Sequence, residues 1–419
     1  VTRDIGVWLS DQSVGVLSSE GGRLSFQYRA DWLTQPNAVA LSQSLPLRPE
    51  RFDDHQCRAF FAGLLPEGAL RLLIAQRFQV SSHNDFALLG AIGGECAGAI
   101  TFLPDGQHPA TPSQAGVEWL DEPQLVALLD ELPRRPMLAG REGIRLSLAG
   151  AQDKLPVVFD GDRIGLTKGG RPSTHILKPA IASVEGSVIN EGFCLALAQA
   201  MGMPTAEAQI FQVQDRQVLL VTRYDRRAGD DGVPVRIHQE DFCQALGVVP
   251  ELKYQNEGGP DLQACFELLR RATRPSAPQV LRLLDTVVFN ALVGNHDAHA
   301  KNFSLLYEAG TAPRLAPLYD MLSTAVYDAL TPKMAMKLGS RYKFNEVQSR
   351  HWDQFAQASA LSKAQTKKRV LRMAQDLPGA ARQLQALPTF AGQPLVARIV
   401  AVIEKRSALT ARRLLSGAP

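Results

Sequence analysis

Short apolar runs broken by turn residues open the chain. Residues 5–9, 14–17 and 24–28 predict three strands, separated by Ser, Gln and Gly-Gly. Over 57–78 the spacing changes, and Phe60, Phe61, Leu64, Leu65, Leu70, Leu73 and Ile74 suit helices interrupted at Pro66. Residues 92–103, IGGECAGAITFL, then predict a glycine turn feeding a strand. Residues 1–104 therefore predict a small mixed α/β domain. The Pro/Gly/Ser/Thr-rich stretch 104–117 predicts a linker. A helix near 125–132 precedes strands at 154–159, 163–166, 175–178, 207–213 and 218–224, with one helix, 188–201, among them. Residues 105–235 thus predict a sheet with a helix packed on it. From 239 onward the pattern turns helical, with clear periodicity at 262–271 and 279–292, and only 302–307 is expected to be extended. The stretch 345–415 predicts helices with basic outer faces, completing a helical lobe over 236–419. The expected fold class is α+β, a bilobed enzyme whose cleft lies at the lobe junction.

Composition narrows the function class. Across 419 residues, 45 Lys/Arg against 42 Asp/Glu give a net charge of +3, too small to mark a general nucleic-acid coat or membrane-surface binder. The charge is uneven: 341–419 carries 14 basic and 4 acidic residues, leaving 31 against 38 for the remainder. Five well-separated cysteines without a C-x-x-C pair predict neither a disulfide framework nor a cysteine zinc site, and suit a reducing cytoplasm. The sequence offers no run long and apolar enough to predict a membrane span, and the charged start VTRD does not resemble a signal peptide. A soluble, cytoplasmic protein with no membrane partner is the expectation.

Candidate chemistry concentrates in Gly294-Asn-His-Asp-Ala-His-Ala-Lys-Asn302, directly after an apolar helix. Two chemistries compete for it. His296, Asp297 and His299 are metal-ligand types, compatible with a His/Asp metallohydrolase. Asp297 also precedes Asn302 by five residues, the interval that separates base from magnesium ligand in the protein-kinase loop H-R-D-x-x-x-x-N. Phosphoryl transfer needs that pair because one carboxylate takes the hydroxyl proton while a nearby neutral oxygen holds magnesium. Asp320, ending the short apolar run LAPLYD, reads either as a second magnesium ligand or as the N-cap of a helix beginning at Met321. Upstream, SLAGAQDK (147–154) reads as a phosphate-binding small-residue turn or as a plain hairpin turn. Lys178, on an otherwise apolar strand, reads as a phosphate ligand, a partner of Glu191, or a snorkelling surface lysine.

The ordered set SLAGAQDK, THILK (174–178), NEGFCLALA (190–198), VTRYDRR (221–227), QEDFCQALG (239–247), KYQNEGGP (253–260), NHDAHAKNFS (295–304) and LAPLYDMLS (315–323) resembles the HipA-type serine/threonine kinases, the toxin halves of bacterial HipA/HipB toxin–antitoxin pairs. LSQSLPL (41–47), FFAGLLPEG (60–68) and LLGAIGGECAGAITFLP (88–104) resemble the family's small N-terminal domain, so the likeness runs nearly end to end.

The resemblance implies a protein-kinase-like fold that uses ATP and Mg2+. It assigns Asp297 as catalytic base and Asn302 and Asp320 as magnesium ligands. Lys178 becomes the ATP-phosphate lysine, and Ala149, Gly150, Ala151, Gln152, Asp153 and Lys154 the phosphate loop. Thr222, Arg223 and Tyr224 become the adenine-facing hinge, while His299 and Lys301 join the nucleotide site. Ser147 corresponds to a self-phosphorylated serine whose modification ejects the loop and silences ATP binding. Two departures stand out: Ala298 replaces a glycine found in some members, and Thr222 an acidic hinge residue, which removes the expected side-chain contact to the ribose. The implied function is growth arrest by phosphorylation of a translation enzyme, an aminoacyl-tRNA synthetase such as glutamyl-tRNA synthetase. The implied partner is a HipB-like helix-turn-helix antitoxin, with any DNA contact auxiliary. Lys363, Lys367, Lys368, Arg369 and Arg372 read either as a solvated helical face or as a surface resting against operator phosphates. A silent co-repressor subunit is the alternative from another function class.

Overall fold

The computed structural model describes residues 3–104, 106–109, 116–229, 232–308 and 310–416, so part of the expected linker (105 and 110–115) lies outside the described residues. The chain forms two compact units. The first comprises 1–179, 211–251 and 305–312; the second comprises 180–210, 252–304 and 313–419.

Strands dominate the first unit. Arg23–Tyr28, Gln12–Glu20, Arg3–Leu9 and Ile100–Pro104 form an antiparallel sheet in that order, with Ile5 opposite Leu17 on one side and Pro104 on the other. Its apolar face packs on the helices Asp54–Ala62 and Asp85–Ile92 through Phe26, Phe52, Phe60, Phe61 and Phe102. A capping box, Asp53 with Gln56, starts the first of these helices. In a six-stranded sheet, Gly116–Trp119, Ile164–Lys168, Leu155–Phe159, His175–Pro179 and Arg216–Thr222 lie side by side in that order. Its core of Leu155, Val157, Leu166, Leu177 and Leu220 is covered by the helix Glu122–Glu131.

Helices dominate the second unit: Ser187–Ala200, Leu262–Ala272, Ser276–Val293, Ser349–Ala358, Lys363–Gln385 and Pro394–Ser416. Three expectations need correction. A hairpin, Lys333–Leu338 with Arg341–Lys343, adds extended chain where helix was expected. His238–Asp241 is a strand, and the helix after it spans only Phe242–Leu246. No helix begins at Met321: Asp320 adopts φ +50 and the chain reaches only a 3-10 turn at Thr324–Val326. The N-cap reading of Asp320 therefore fails. The basic face is also less bare than its composition suggests, because Lys367 pairs with Asp353, Arg369 with Asp285 and Arg372 with Asp376.

Candidate active site

In the second unit, the helix Ser276–Val293 ends at Gly294, whose φ of +82 turns the chain sharply. A Cβ there would sit 2.6 Å from that of Ala325, so only glycine permits the close approach. The following loop is pinned along its length. Its residue His296 donates its N–H to Thr324 Oγ1 at 2.8 Å, and Ala325 donates to the Gly294 carbonyl at 2.9 Å. Asn295 Oδ1 accepts the Asp297 N–H at 3.1 Å, and Asn302 Nδ2 donates to the Asp297 carbonyl at 3.0 Å. The five-residue interval thus closes on itself, placing the Asn302 side chain beside the exposed Asp297.

Tyr319 fastens the Asp320 segment to this loop: its hydroxyl donates to the Lys301 carbonyl at 2.7 Å and lies 2.7 Å from Ser304 Oγ. Beyond Asp320, buried Asn190 donates to the Ser323 carbonyl at 3.0 Å and accepts its N–H at 2.7 Å. Asp297, His299, Lys301, Asn302 and Asp320 are thereby held in one region.

Burial beside cations disfavours the charged form of both histidines. Burial, then the neighbouring Arg406, pushes His296 down to about 4. Its Nε2 lies 2.7 Å from an Arg406 nitrogen and its Nδ1 3.1 Å from the Thr331 carbonyl, so both ring nitrogens are committed. Burial, reinforced by Lys253 and Lys301, pushes His299 down to about 3, against the opposing pull of Asp320. Its Nδ1 is buried with no hydrogen-bond partner among the described residues. No group of three His, Cys, Asp or Glu side chains suited to a metal exists among the described residues, which removes the support for a His/Asp metallohydrolase. A hard cation fits better: the Asn302 amide is oriented through its nitrogen, and its oxygen together with the Asp320 carboxylate is the donor chemistry magnesium prefers.

The first unit holds the remaining candidates. Ser147 is fully buried; its N–H donates to the Glu95 carbonyl at 2.8 Å and its Oγ to the Leu64 carbonyl at 2.8 Å. Gly150 bridges Pro66 in parallel and accepts the Glu67 N–H at 3.0 Å. The segment 147–154 is therefore neither a hairpin nor isolated, being laid along FFAGLLPEG. Gly150 has φ +107, and a Cβ on it would meet Lys154 Nζ at 2.7 Å. That ammonium donates to the Ala149 carbonyl at 2.7 Å, placing a cation inside the turn. Ala149, Ala151 and Gln152 line the same turn, and burial raises the Asp153 carboxyl above its usual range. Lys178 is buried on its strand opposite Leu219, so it does not snorkel. Glu191 is buried in the helix Ser187–Ala200 of the second unit.

At 222–224, the residues expected to form the hinge, the side chains do structural work. Thr222 Oγ1 lies 3.3 Å from His175 Nε2, and Tyr224 donates its hydroxyl to Gln239 Oε1. Arg223 is buried in an ion network unforeseen from the sequence. It meets Glu95 at 3.2 Å and Asp225 at 2.7 Å, and Arg226 meets Glu95 at 3.1 Å and Asp225 at 3.2 Å. The run of alternating charges in VTRYDRR was the available signal. Tyr254, Asn190, Asn295 and Tyr319 were likewise missed, although each sits in or beside a quoted motif.

The HipA N-terminal domain family matches residues 5–103 and the HipA-like C-terminal domain family residues 146–381. The putative kinase Y4mE of Sinorhizobium fredii is 47% identical over 376 residues, 88% of this chain and 89% of that protein. The serine/threonine-protein kinase toxin HipA of Shewanella oneidensis is 29% identical over 395 residues, 90% of this chain and 88% of that one. Among solved structures, a Shewanella oneidensis HipA, HipB and operator DNA complex contains a chain matching 98% of this one over 97% of its own length, with TM-score 0.83 and 27% identity.

Proposed function

The chain belongs to the HipA family of protein serine/threonine kinases, and we propose that it transfers the γ-phosphoryl group of ATP to a serine hydroxyl, with Asp297 as the base. The observation that supports this reading is the Asn302 amide clipped to the Asp297 backbone carbonyl, which keeps the two residues proposed as base and magnesium ligand next to each other. In the reaction, the bond from the γ-phosphorus to its bridging oxygen breaks, a bond to the acceptor oxygen forms, and the hydroxyl proton passes to Asp297. Asn302 and Asp320 would hold magnesium, which when bound offsets phosphate charge. The chain's own residues carry the rest. In the first unit, Lys154 and Lys178 are the cations proposed for phosphates and residues 222–224 the backbone proposed for adenine; in the second, Lys301 and neutral His299 accompany the Asp297 loop.

Biologically, the reading is a toxin that arrests growth by modifying an aminoacyl-tRNA synthetase, glutamyl-tRNA synthetase being the first to test. Its proposed partner is a HipB-like antitoxin. Support for that partner is the likeness, over nearly the whole chain, to a HipA solved with HipB and operator DNA. Incubation with radiolabelled ATP, magnesium and the synthetase, followed by mass spectrometry, tests the reading. We expect phosphoserine with the wild type and under about 3% of that transfer with Asp297→Asn, an amide that cannot accept the proton. Asp320→Ala should weaken magnesium-dependent ATP binding by about tenfold or more while the fold persists. Absence of labelling in the wild type would favour the silent co-repressor.

A further inference from the structure

KYQNEGGP, residues 253–260, has no role in the reaction as described above, yet it is built against the catalytic loop. The Tyr254 hydroxyl donates to Asp297 Oδ1 at 2.7 Å. The Tyr254 ring stands edge-on to His299, with centroids 5.2 Å apart and planes at 81°. Its backbone is equally fixed: the Tyr254 carbonyl accepts the N–H groups of Glu257 at 3.0 Å and Gly259 at 2.9 Å. A Cβ at Gly259 would lie 2.1 Å from the Leu252 carbonyl oxygen and 2.8 Å from that of Tyr254, so the tight fold of this segment demands glycine.

One strand ties this segment and the Asp297 loop to a common support. From Lys333–Leu338, the Lys337 N–H donates to Gln255 Oε1 at 2.8 Å, and the Ala335 N–H donates to the His296 carbonyl at 2.7 Å. Gln255 follows Tyr254 directly, and His296 precedes Asp297 directly. Tyr254 and Asp297 are therefore set from the same strand, each one residue from its anchor. The Tyr254 bond selects one rotation of the Asp297 carboxylate about its Cβ–Cγ bond, a torsion whose wells are broad.

We propose that Tyr254 is a positioning residue for phosphoryl transfer: its hydroxyl holds the Asp297 carboxylate in the orientation that takes the acceptor's proton. This rests on the reading of Asp297 as base. A carboxylate already oriented loses no rotational freedom on reaching the transition state, and that advantage appears in turnover rather than in nucleotide binding. The ring alone, packed on His299, would serve only to fill space.

The test compares Tyr254→Phe, which keeps the ring and loses the hydroxyl, with Tyr254→Ala, which loses both. The full chain is given radiolabelled ATP, magnesium and glutamyl-tRNA synthetase, and label on either protein is counted. For Tyr254→Phe we expect the maximal rate to fall at least tenfold, with half-saturating ATP within twofold of wild type and an unchanged melting temperature. Tyr254→Ala should lose at least as much. A Tyr254→Phe rate within twofold of wild type, with only Tyr254→Ala impaired, would make the residue packing alone and overturn the proposal. A higher rate, or a loss confined to half-saturating ATP, would overturn it as well. Full activity of Asp297→Asn would instead remove the base itself, so failure of the underlying reading is separately visible.

Discussion

Glu240 illustrates how a single buried residue can set the stability of its surroundings. Its carboxyl accepts from Ser42 Oγ, the Gln43 N–H at 2.9 Å and the Tyr307 hydroxyl, all within the first unit. Burial pushes it up to about 7, more than these donors pull it down, and Asp241 adds to the rise. The folded chain thus retains a proton there between the unfolded value of roughly 4.3 and about 7, so stability falls as pH rises through that window and levels off above it. The full effect is on the order of 3 kcal/mol. Glu240→Gln, an uncharged stand-in for the protonated acid, should flatten the melting temperature between pH 5 and 7, within about that window, and raise it at pH 8. An unchanged slope in thermal melts across that range would show that Glu240 does not titrate there. Nothing in QEDFCQALG announced this: the residue's partners are 198 and 67 positions away, and a lone glutamate before a capped helix reads as surface.

At the scale of elements, legibility followed the range of the interactions. The strands 5–9 and 24–28 and the helix 188–201 were readable because turn glycines and apolar spacing are local; the structure has them at Arg3–Leu9, Arg23–Tyr28 and Ser187–Ala200. The helix Asp85–Ile92 was not, being apolar on almost every face and ending at Gly93, so no amphipathic stripe marked it. The hairpin at 333–343 escaped because KMAMKL acquires its strand character from Arg341–Lys343 across the Gly339 turn. In the site, Asp297 and Asn302 were legible as a spacing, whereas Tyr254 lies 43 residues from the carboxylate it touches. The loop 147–154 shows the same division. Its small residues were visible, its bed on Leu64 to Glu67 was not. That bed makes a prediction about Ser147. Its Oγ is buried and 2.8 Å from a carbonyl oxygen, so an added phosphate carrying roughly −1.5 to −2 charges cannot be housed there and the loop must leave. Incubation with magnesium-ATP should place phosphate on Ser147, increase proteolytic cutting near 147–154 and abolish ATP binding. Ser147→Ala should keep ATP binding through the same incubation. Phosphate only at other residues, with ATP affinity retained, would end the switch interpretation and leave the kinase standing.

For the molecule as a whole, the two family matches, 5–103 and 146–381, do not correspond to the two compact units. The first unit takes in 1–179 and 211–251, and a buried ion network in it joins one match to the other. Glu95 belongs to the first match and Ser173, Arg223, Asp225 and Arg226 to the second. Glu95 Oε1 accepts the Ser173 N–H at 2.9 Å and its hydroxyl at 2.7 Å in addition to both arginines, while Asp225 Oδ2 accepts the Gly98 N–H at 2.7 Å. Burial works to raise both carboxyls, but Arg226 and Arg223 outweigh it at Glu95, and Arg223 and Arg226 at Asp225, leaving both below the usual range. Their contribution is therefore complete above the unfolded values near 4 and is lost as pH falls toward the folded ones. Removing one charge leaves two buried guanidiniums with one partner fewer, a loss of about 3–5 kcal/mol for a broken buried pair. Glu95→Gln should accordingly lower the melting temperature by several degrees at pH 7. The difference from wild type should narrow as the pH falls from the unfolded carboxylate value near 4 toward the lowered value of folded Glu95. A fragment beginning at residue 104 loses Glu95, Leu64 and Glu67 together, and so both the arginines' partner and the bed of the 147–154 loop. It should fail to give a cooperative melt in scanning calorimetry, whereas the full chain should give one. A fragment with a sharp transition near that of the full chain would mean that the buried charges are dispensable and that the second match folds without the first.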